Sequence, residues 1–209
     1  MIGNDIVDVA YAALHHNWRR PGYLAKVFTT DERARVVASA TPDRLVWTLW
    51  SAKESAYKVS VQQGCSRKYA PKQWKTELVG VEGDATAYRV NYRDFMYHVR
   101  VEAGRGWIHS IARPWGLQSD KVHVCQMVVP KELCRQRGEL KQALYRECAA
   151  WRGGESELYH VQKNAAAVPS LIYNGAHLNI PLSLSHHGRF GAYAYVAQPK
   201  IELATQVTS

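Results

Sequence analysis

Three charged residues pose the chemical question of this chain: Asp5, Glu54 and Lys58. Asp5 stands in "IGNDIVDV" (residues 2–9), between β-branched residues that read as a short strand. A carboxylate early in such a strand is costly to bury unless it is paired or metal-bound, so it points to function. Glu54 and Lys58 are four residues apart in "WSAKESAYK" (residues 50–58), which puts them on one face of a helix. Two chemistries fit that pair. One is an exposed ion pair contributing roughly 0.2–0.5 kcal/mol to the helix. The other is a carboxylate that holds a metal ion with an ammonium standing beside it, and spacing alone leaves both open. Glu32 follows Thr29 with the three-residue spacing of a capping box, in which each side chain serves a free N–H of the first helical turn. Ser185, His186 and His187 close "LSLSHH" and, read alone, are a polar strand end; His15 and His16 read as a surface pair.

The elements that must position these residues are legible in outline. The segment from Thr41 to Gly64 predicts the best-defined helix, with Thr41 as cap and Pro42 at the first helical position. Its residues Leu45, Leu49, Ala52, Ala56 and Val59 form an apolar stripe, and Trp47, Ser51, Glu54 and Lys58 form a mixed stripe beside it that could line a cleft. Residues 76–114 predict an antiparallel meander of four strands, separated by Gly and Asp turn signals. "PWGLQSD" (114–120) is the expected internal boundary. After it the pattern reads strand (121–129), helix (138–151), a turn-rich loop, and closing strands within 182–199. The expected fold class is therefore α+β, in two similar halves over residues 1–116 and 117–209.

Composition bounds the rest. The chain of 209 residues is 46% hydrophobic, enough to build a sizeable core. Its formal net charge of +9 favours anionic partners: nucleic acid, phosphorylated small molecules or an acidic protein. Cys65, Cys125, Cys134 and Cys148 have no Cys-x-x-Cys spacing and read as reduced thiols of a cytoplasmic protein. The N-terminus lacks the pattern of a secretory signal, and no apolar run is long enough to span a membrane. The 12 tyrosines and 7 tryptophans could be stacking platforms for nucleic acid, but they fall mostly in strand and helix patterns that suggest core, so no nucleic-acid partner is expected.

Three separated stretches, "IGNDIVDV", "VFTTDERARV" with "WSAKESAYK", and "LSLSHHGRFGAYAYV", together resemble the 4′-phosphopantetheinyl transferase superfamily. The most specific is Trp-Ser-x-Lys-Glu-Ser-x-x-Lys preceded by Phe-Thr-x-x-Glu. The resemblance is firm over residues 1–64 and 181–198, and the length is that of the two-domain, surfactin-synthetase-activator-like members. It implies a cleft between two pseudo-two-fold α+β halves. It also implies transfer of 4′-phosphopantetheine from coenzyme A to a serine of an acidic acyl or peptidyl carrier protein, releasing adenosine 3′,5′-bisphosphate. By position, Asp5 and Glu54 would hold Mg2+, and Lys58 would neutralise a phosphate oxygen or protonate the leaving group. Ser185 and His186 would contact the 3′-phosphate of coenzyme A, and Glu32 would help deprotonate the attacking serine. A monomer is expected. The alternative in the same family is a non-catalytic binder of coenzyme A or of carrier proteins, which would not need Asp5 and Glu54 together.

The departures from the pattern are as informative. The third acidic position of the two-domain members is Val7, with Asp8 one place later as a possible supporting group. The Ser-His half follows the Gly-x-Asp half instead of preceding it, as in a circular permutation or a lengthened short form. The family's Gly-Lys-Pro is reduced to Ala167, Val168 and Pro169, so Arg135, Arg137 or Arg152 would have to supply the missing charge.

Overall fold

The computed structural model describes residues 1–117, 121–130 and 132–197, with the side chains of Leu133 and Cys134 left aside. The expected boundary at 114–120 therefore falls partly outside the described residues, as does Pro199.

The buried strand β1 (Gly3–Asp8) leads into a short helix, α1 (Val9–His15), capped by Asp8, whose carboxylate accepts from the N–H groups of Ala10 and Tyr11. Two further short helices follow, α2 (Tyr23–Val27) and α3 (Thr30–Ala38). The long helix α4 spans Pro42–Gln62, close to the predicted bounds, and has Pro42 in its first turn. Thr41 makes no side-chain cap, contrary to expectation; its backbone lies outside the extended region that would aim the hydroxyl at the first turn. The meander is present as β2 (Lys75–Glu82), β3 (Ala85–Tyr92), β4 (Phe95–Gly104) and β5 (Trp107–Pro114). With β1 it forms an antiparallel five-stranded sheet in the order β1-β5-β4-β3-β2.

The remaining residues build β6 (Val122–Val128), α5 (Leu133–Arg152), a hairpin of β7 (Tyr159–Lys163) and β8 (Pro169–Tyr173) extended by β9 (Ala176–His177), then β10 (Leu182–His187) and β11 (Phe190–Val196). They form two three-stranded sheets, β10-β11-β6 and β7-β8-β9. The sheet β7-β8-β9 replaces the expected turn-rich loop. Its one sharp local signal is Asn174-Gly175, where both residues have positive φ and join Tyr173 to Ala176 in a two-residue hairpin.

One apolar core lies between α4 and the large sheet. It includes Leu49, Ala52, Ala56 and Val59 of the predicted stripe, packed with Phe28, Trp74, Tyr97 and Val99. A second core joins α5 (Leu140, Leu144, Cys148) to Leu182, Tyr193 and Tyr195. Between them a small cluster of Ile6, Phe190 and Ala192 with Trp107 packs across the seam. Cys65, Cys125 and Cys148 are free thiols. Among the described residues no helix is long and apolar enough to cross a membrane.

Candidate active site

Gly3 explains how Asp5 reaches the helix. A Cβ at Gly3 would stand 2.0 Å from the Ser55 carbonyl oxygen, so only glycine lets β1 lie directly on the backbone of α4. The contact is fixed along its length by Ser51 and Lys58 of the mixed stripe and by Gln62 one turn further on. Ser51 Oγ donates to the Asp5 carbonyl (3.1 Å), Lys58 Nζ donates to the Asn4 carbonyl (2.6 Å), and Gln62 Nε2 donates to the Ile2 carbonyl (2.7 Å). Lys58 Nζ also lies 3.3 Å from Asp5 Oδ1. Asp5, Glu54 and Lys58 are thereby brought together, though the partner of Lys58 is Asp5 and not the helical neighbour Glu54.

Asp5 and Glu54 line one hollow of about 450 Å³, walled by Tyr23, Trp47 and Trp50 and by the imidazoles of His16 and His186. Burial raises the Asp5 carboxyl, against the pull of Lys58. Burial and the negative charge of Asp5 push Glu54 up to about 7. Two partly desolvated carboxylates that repel one another, with Glu54 accepting no hydrogen bond from the described residues, form an oxygen-donor set that a hard divalent cation would relieve. The Tyr69 hydroxyl is buried without a hydrogen-bond partner and lies in the field of both carboxylates, which adds to burial in raising it. The residues thus fit a magnesium ion. Among the described residues no three His, Cys, Asp or Glu side chains stand close enough to hold a metal ion together, so the protein side of the donor set is Asp5 and Glu54.

Glu32 is placed elsewhere. It forms the capping box with Thr29, but its carboxylate is 1% exposed and fully engaged. Oε2 accepts from Lys53 Nζ (2.6 Å) and Thr29 N (2.8 Å), and Oε1 accepts from Thr76 N (2.8 Å) and Thr76 Oγ1 (2.6 Å). Burial works to raise this carboxyl, yet Lys53, Thr76 and Thr29 together hold it below its ordinary range. A carboxylate so enclosed is not positioned to take a proton from a substrate. Lys53, the lysine of the Trp-Ser-x-Lys-Glu motif, is fully buried in turn, donating also to the carbonyls of Val27 and Pro71 and lying over the Phe28 ring. The motif therefore alternates in use along the helix: Lys53 faces inward to Glu32, and Glu54 faces the hollow.

The Ser-His strand divides in the same way. Ser185 is buried and accepts from Asn4 Nδ2 (3.0 Å), Ser183 Oγ accepts from Asn4 N (2.9 Å), and His187 Nδ1 accepts from Asp8 N (3.0 Å). These alternate residues stitch β10 alongside β1 and place Ser185 at the seam. Asp8 caps α1 and accepts from Arg189 N (3.1 Å). His186 points the other way, into the hollow with Asp5 and Glu54. Burial, then Arg137, Lys58 and Lys163, keep its imidazole below the ordinary range, hence neutral at neutral pH. Next to the seam His109 is buried between the side-chain amides of Asn4 (3.2 Å) and Gln126 (2.8 Å), and burial pushes it down to about 3. Neither Lys53 nor His109 was assigned a role on sequence grounds, since their partners lie far away along the chain.

A second hollow of about 240 Å³ opens on the other side of Lys58, lined by Tyr57, Val61, Arg67, Lys163 and residues 166–169, which include the degraded Gly-Lys-Pro positions. Arg137 acts on this region through His186 and Lys163, whereas Arg152 acts on Cys148 and Tyr159.

No curated protein sequence matches the chain. Among solved structures it is similar to the holo-acyl-carrier-protein synthase of Thermotoga maritima, with 10% identity, 85% of this chain and 84% of that chain covered, and a TM-score of 0.39. A family model described as 4′-phosphopantetheinyl transferase superfamily matches residues 1–112, which hold Asp5, Glu32, Lys53, Glu54 and Lys58. With that match extending over more than half of its 209 residues, the chain belongs to the 4′-phosphopantetheinyl transferase superfamily.

Proposed function

We propose that this protein transfers 4′-phosphopantetheine from coenzyme A to a serine of an acidic acyl or peptidyl carrier protein, in the cytoplasm and as a monomer. The observation that carries the reading is the convergence of Asp5, Glu54 and Lys58 at the junction of two hollows, within the segment that matches the family. We read residues 1–116 and 117–209 as two pseudo-two-fold halves with this cleft between them. The orders β1-β5-β4 and β6-β11-β10, each with a long helix after its first strand, support that division.

Asp5 and Glu54 would hold Mg2+, which when bound supplies positive charge to the pyrophosphate. Lys58 has three N–H donors, of which two reach the Asn4 carbonyl and Asp5, so one is left for a phosphate oxygen. The serine oxygen attacks the β-phosphorus of coenzyme A and gives up its proton to solvent water as the bond to adenosine 3′,5′-bisphosphate breaks, and Lys58 offsets the charge that gathers on the departing phosphate. Transition states of this kind are loose, so positioning and charge matter more than a strong base. A catalytic carboxylate at Glu32 is not required, and its role is to anchor α3 to α4 through Lys53. The formal net charge of +9 would aid encounter with both acidic partners.

Intact mass of apo carrier proteins incubated with the protein, coenzyme A and magnesium tests the proposal. The expected result is a gain of one phosphopantetheine that is lost with Glu54→Ala. Absence of any gain across fatty-acid, polyketide and peptide-synthetase carriers, with coenzyme A still bound, would overturn it in favour of a binding protein.

A further inference from the structure

Tyr69 has a buried hydroxyl that the proposed chemistry does not use. It lies outside the motifs that carry the family resemblance, in the segment between α4 and β2, yet α4 holds that segment on both sides of it. Tyr57 Oη donates to the Arg67 carbonyl at 2.7 Å, and Lys53 Nζ donates to the Pro71 carbonyl at 3.1 Å. Between these anchors the ring of Tyr69 packs against Trp50 and Tyr57, with centroids 5.9 and 4.7 Å away. Trp50, Glu54 and Tyr57 follow one another at spacings of four and three on one face of α4, so Tyr69 lies across the row that has Glu54 at its middle. Burial and the charges of Glu54 and Asp5, with smaller contributions from Tyr23 and Glu32, raise the phenol well above its ordinary value and keep it an O–H donor at neutral pH. Of the three carboxylates whose fields reach it, Glu32 has four donors and Asp5 has Lys58. Only Glu54 has none among the described residues.

We infer that Tyr69 is the positioning residue of Glu54: its hydroxyl donates to one carboxylate oxygen and leaves the other turned toward Asp5, with which it holds the cation. This rests on the metal-binding pair of the function proposed above and adds to it a residue that neither spacing nor motif discloses. An orphaned donor and an orphaned acceptor in one desolvated place each carry a cost that pairing removes. No hydrogen bond from the described residues holds the Glu54 side chain, so turning it onto the hydroxyl breaks none. A hydrogen bond to the charged form of a carboxyl favours that form, which is the one a divalent cation needs. Ligating carboxylates are in general held by an outer donor of this kind. A phenol suits the task better than an ammonium, because it orients the carboxylate without neutralising the charge that attracts the metal.

Binding of Mn2+ alone, followed by loss of the free-ion electron paramagnetic resonance signal with neither coenzyme A nor carrier protein present, tests this apart from transfer. Mn2+ takes the same oxygen donors as Mg2+. The part of the uptake that Glu54→Ala abolishes belongs to the pair. Tyr69→Phe keeps the ring and its packing, and should weaken that part by about tenfold or more. Since the hydroxyl has no partner among the described residues, the same variant should melt, free of metal, at the native temperature or above it. It should also bind coenzyme A in EDTA as the native protein does. Mn2+ uptake in Tyr69→Phe equal to the native would overturn the assignment and leave the proposed transfer intact. Weakened uptake accompanied by a lower melting temperature, or by weaker coenzyme A binding in EDTA, would give Tyr69 a merely structural role and overturn it as well. A native protein with no Glu54-dependent uptake would overturn both the assignment and the metal pair on which it rests.

Discussion

Removing the ammonium of Lys53 while keeping its stem, as in Lys53→Met, isolates the buried pair with Glu32. The carboxylate would stay at 1% exposure, with Oε1 still receiving Thr76 N and Oγ1 and Oε2 still receiving Thr29 N. Three of its four donors persist, but the only counter-charge in contact among the described residues is gone. Breaking a buried pair by deleting one partner costs about 3–5 kcal/mol, and the surviving donors place the expected loss near 3 kcal/mol. Glu32→Leu combined with Lys53→Met deletes both charges, so most of the loss should be recovered, leaving a deficit of about 2 kcal/mol for the orphaned Thr29, Thr76, Val27 and Pro71 groups. Urea unfolding at pH 7.5, followed by tryptophan fluorescence, measures both. The sign with pH is also fixed. Glu32 is held below its ordinary 4.5, so its contribution is present above that value and disappears as pH falls through the folded-state value. The gap between native protein and Lys53→Met should therefore narrow below about pH 4.5. A loss under about 1 kcal/mol at pH 7.5, the range of exposed pairs, would refute the account of Glu32 as a structural carboxylate.

Two further outcomes follow from β1, the strand that carries Asp5, and its neighbour β5. His109, pushed down to about 3, stays neutral in the fold while the unfolded chain binds a proton below 6.5. Stability should thus fall as pH drops from 6.5 toward 3, by roughly 3–5 kcal/mol in all, and His109→Gln should remove most of that dependence in urea titrations between pH 4 and 7. An unaltered pH dependence in the variant would place the acid sensitivity elsewhere. Gly3→Ala puts a methyl group 2.0 Å from the Ser55 carbonyl, and the backbone on both sides leaves little room to yield, so a loss of about 3 kcal/mol and a weakened transfer activity are expected. A variant with native stability would show that β1 can slide off α4 without cost.

What the sequence disclosed about the site divides along a physical line. The helix α4, the strand β1 and the Thr29–Glu32 capping box are written in spacings of two to seven residues, and all three stand close to where those spacings put them. Asn174-Gly175 belongs to the same local class and could have revealed the β8–β9 hairpin. The pairings that decide roles span greater distances. Lys53 meets Glu32 across 21 residues, and Asn4 meets Ser183 and Ser185 across 179 and 181. No periodicity encodes these, so the spacing of Glu32 discloses its capping box and not its pairing with Lys53 or Thr76, and that of Ser185 does not disclose Asn4. The same geometry bears on the order of the halves. The seam between β1 and β10 is made by the side chains of Ser183, Ser185, His187 and Asn4, not by a hairpin that requires the strands to be neighbours in sequence. Side-chain stitching depends on which strands face each other and is indifferent to which half comes first in the chain. On the two-half division proposed above, an arrangement with the Gly-x-Asp strand leading and the Ser-His strand trailing can therefore assemble the same seam as the reverse order.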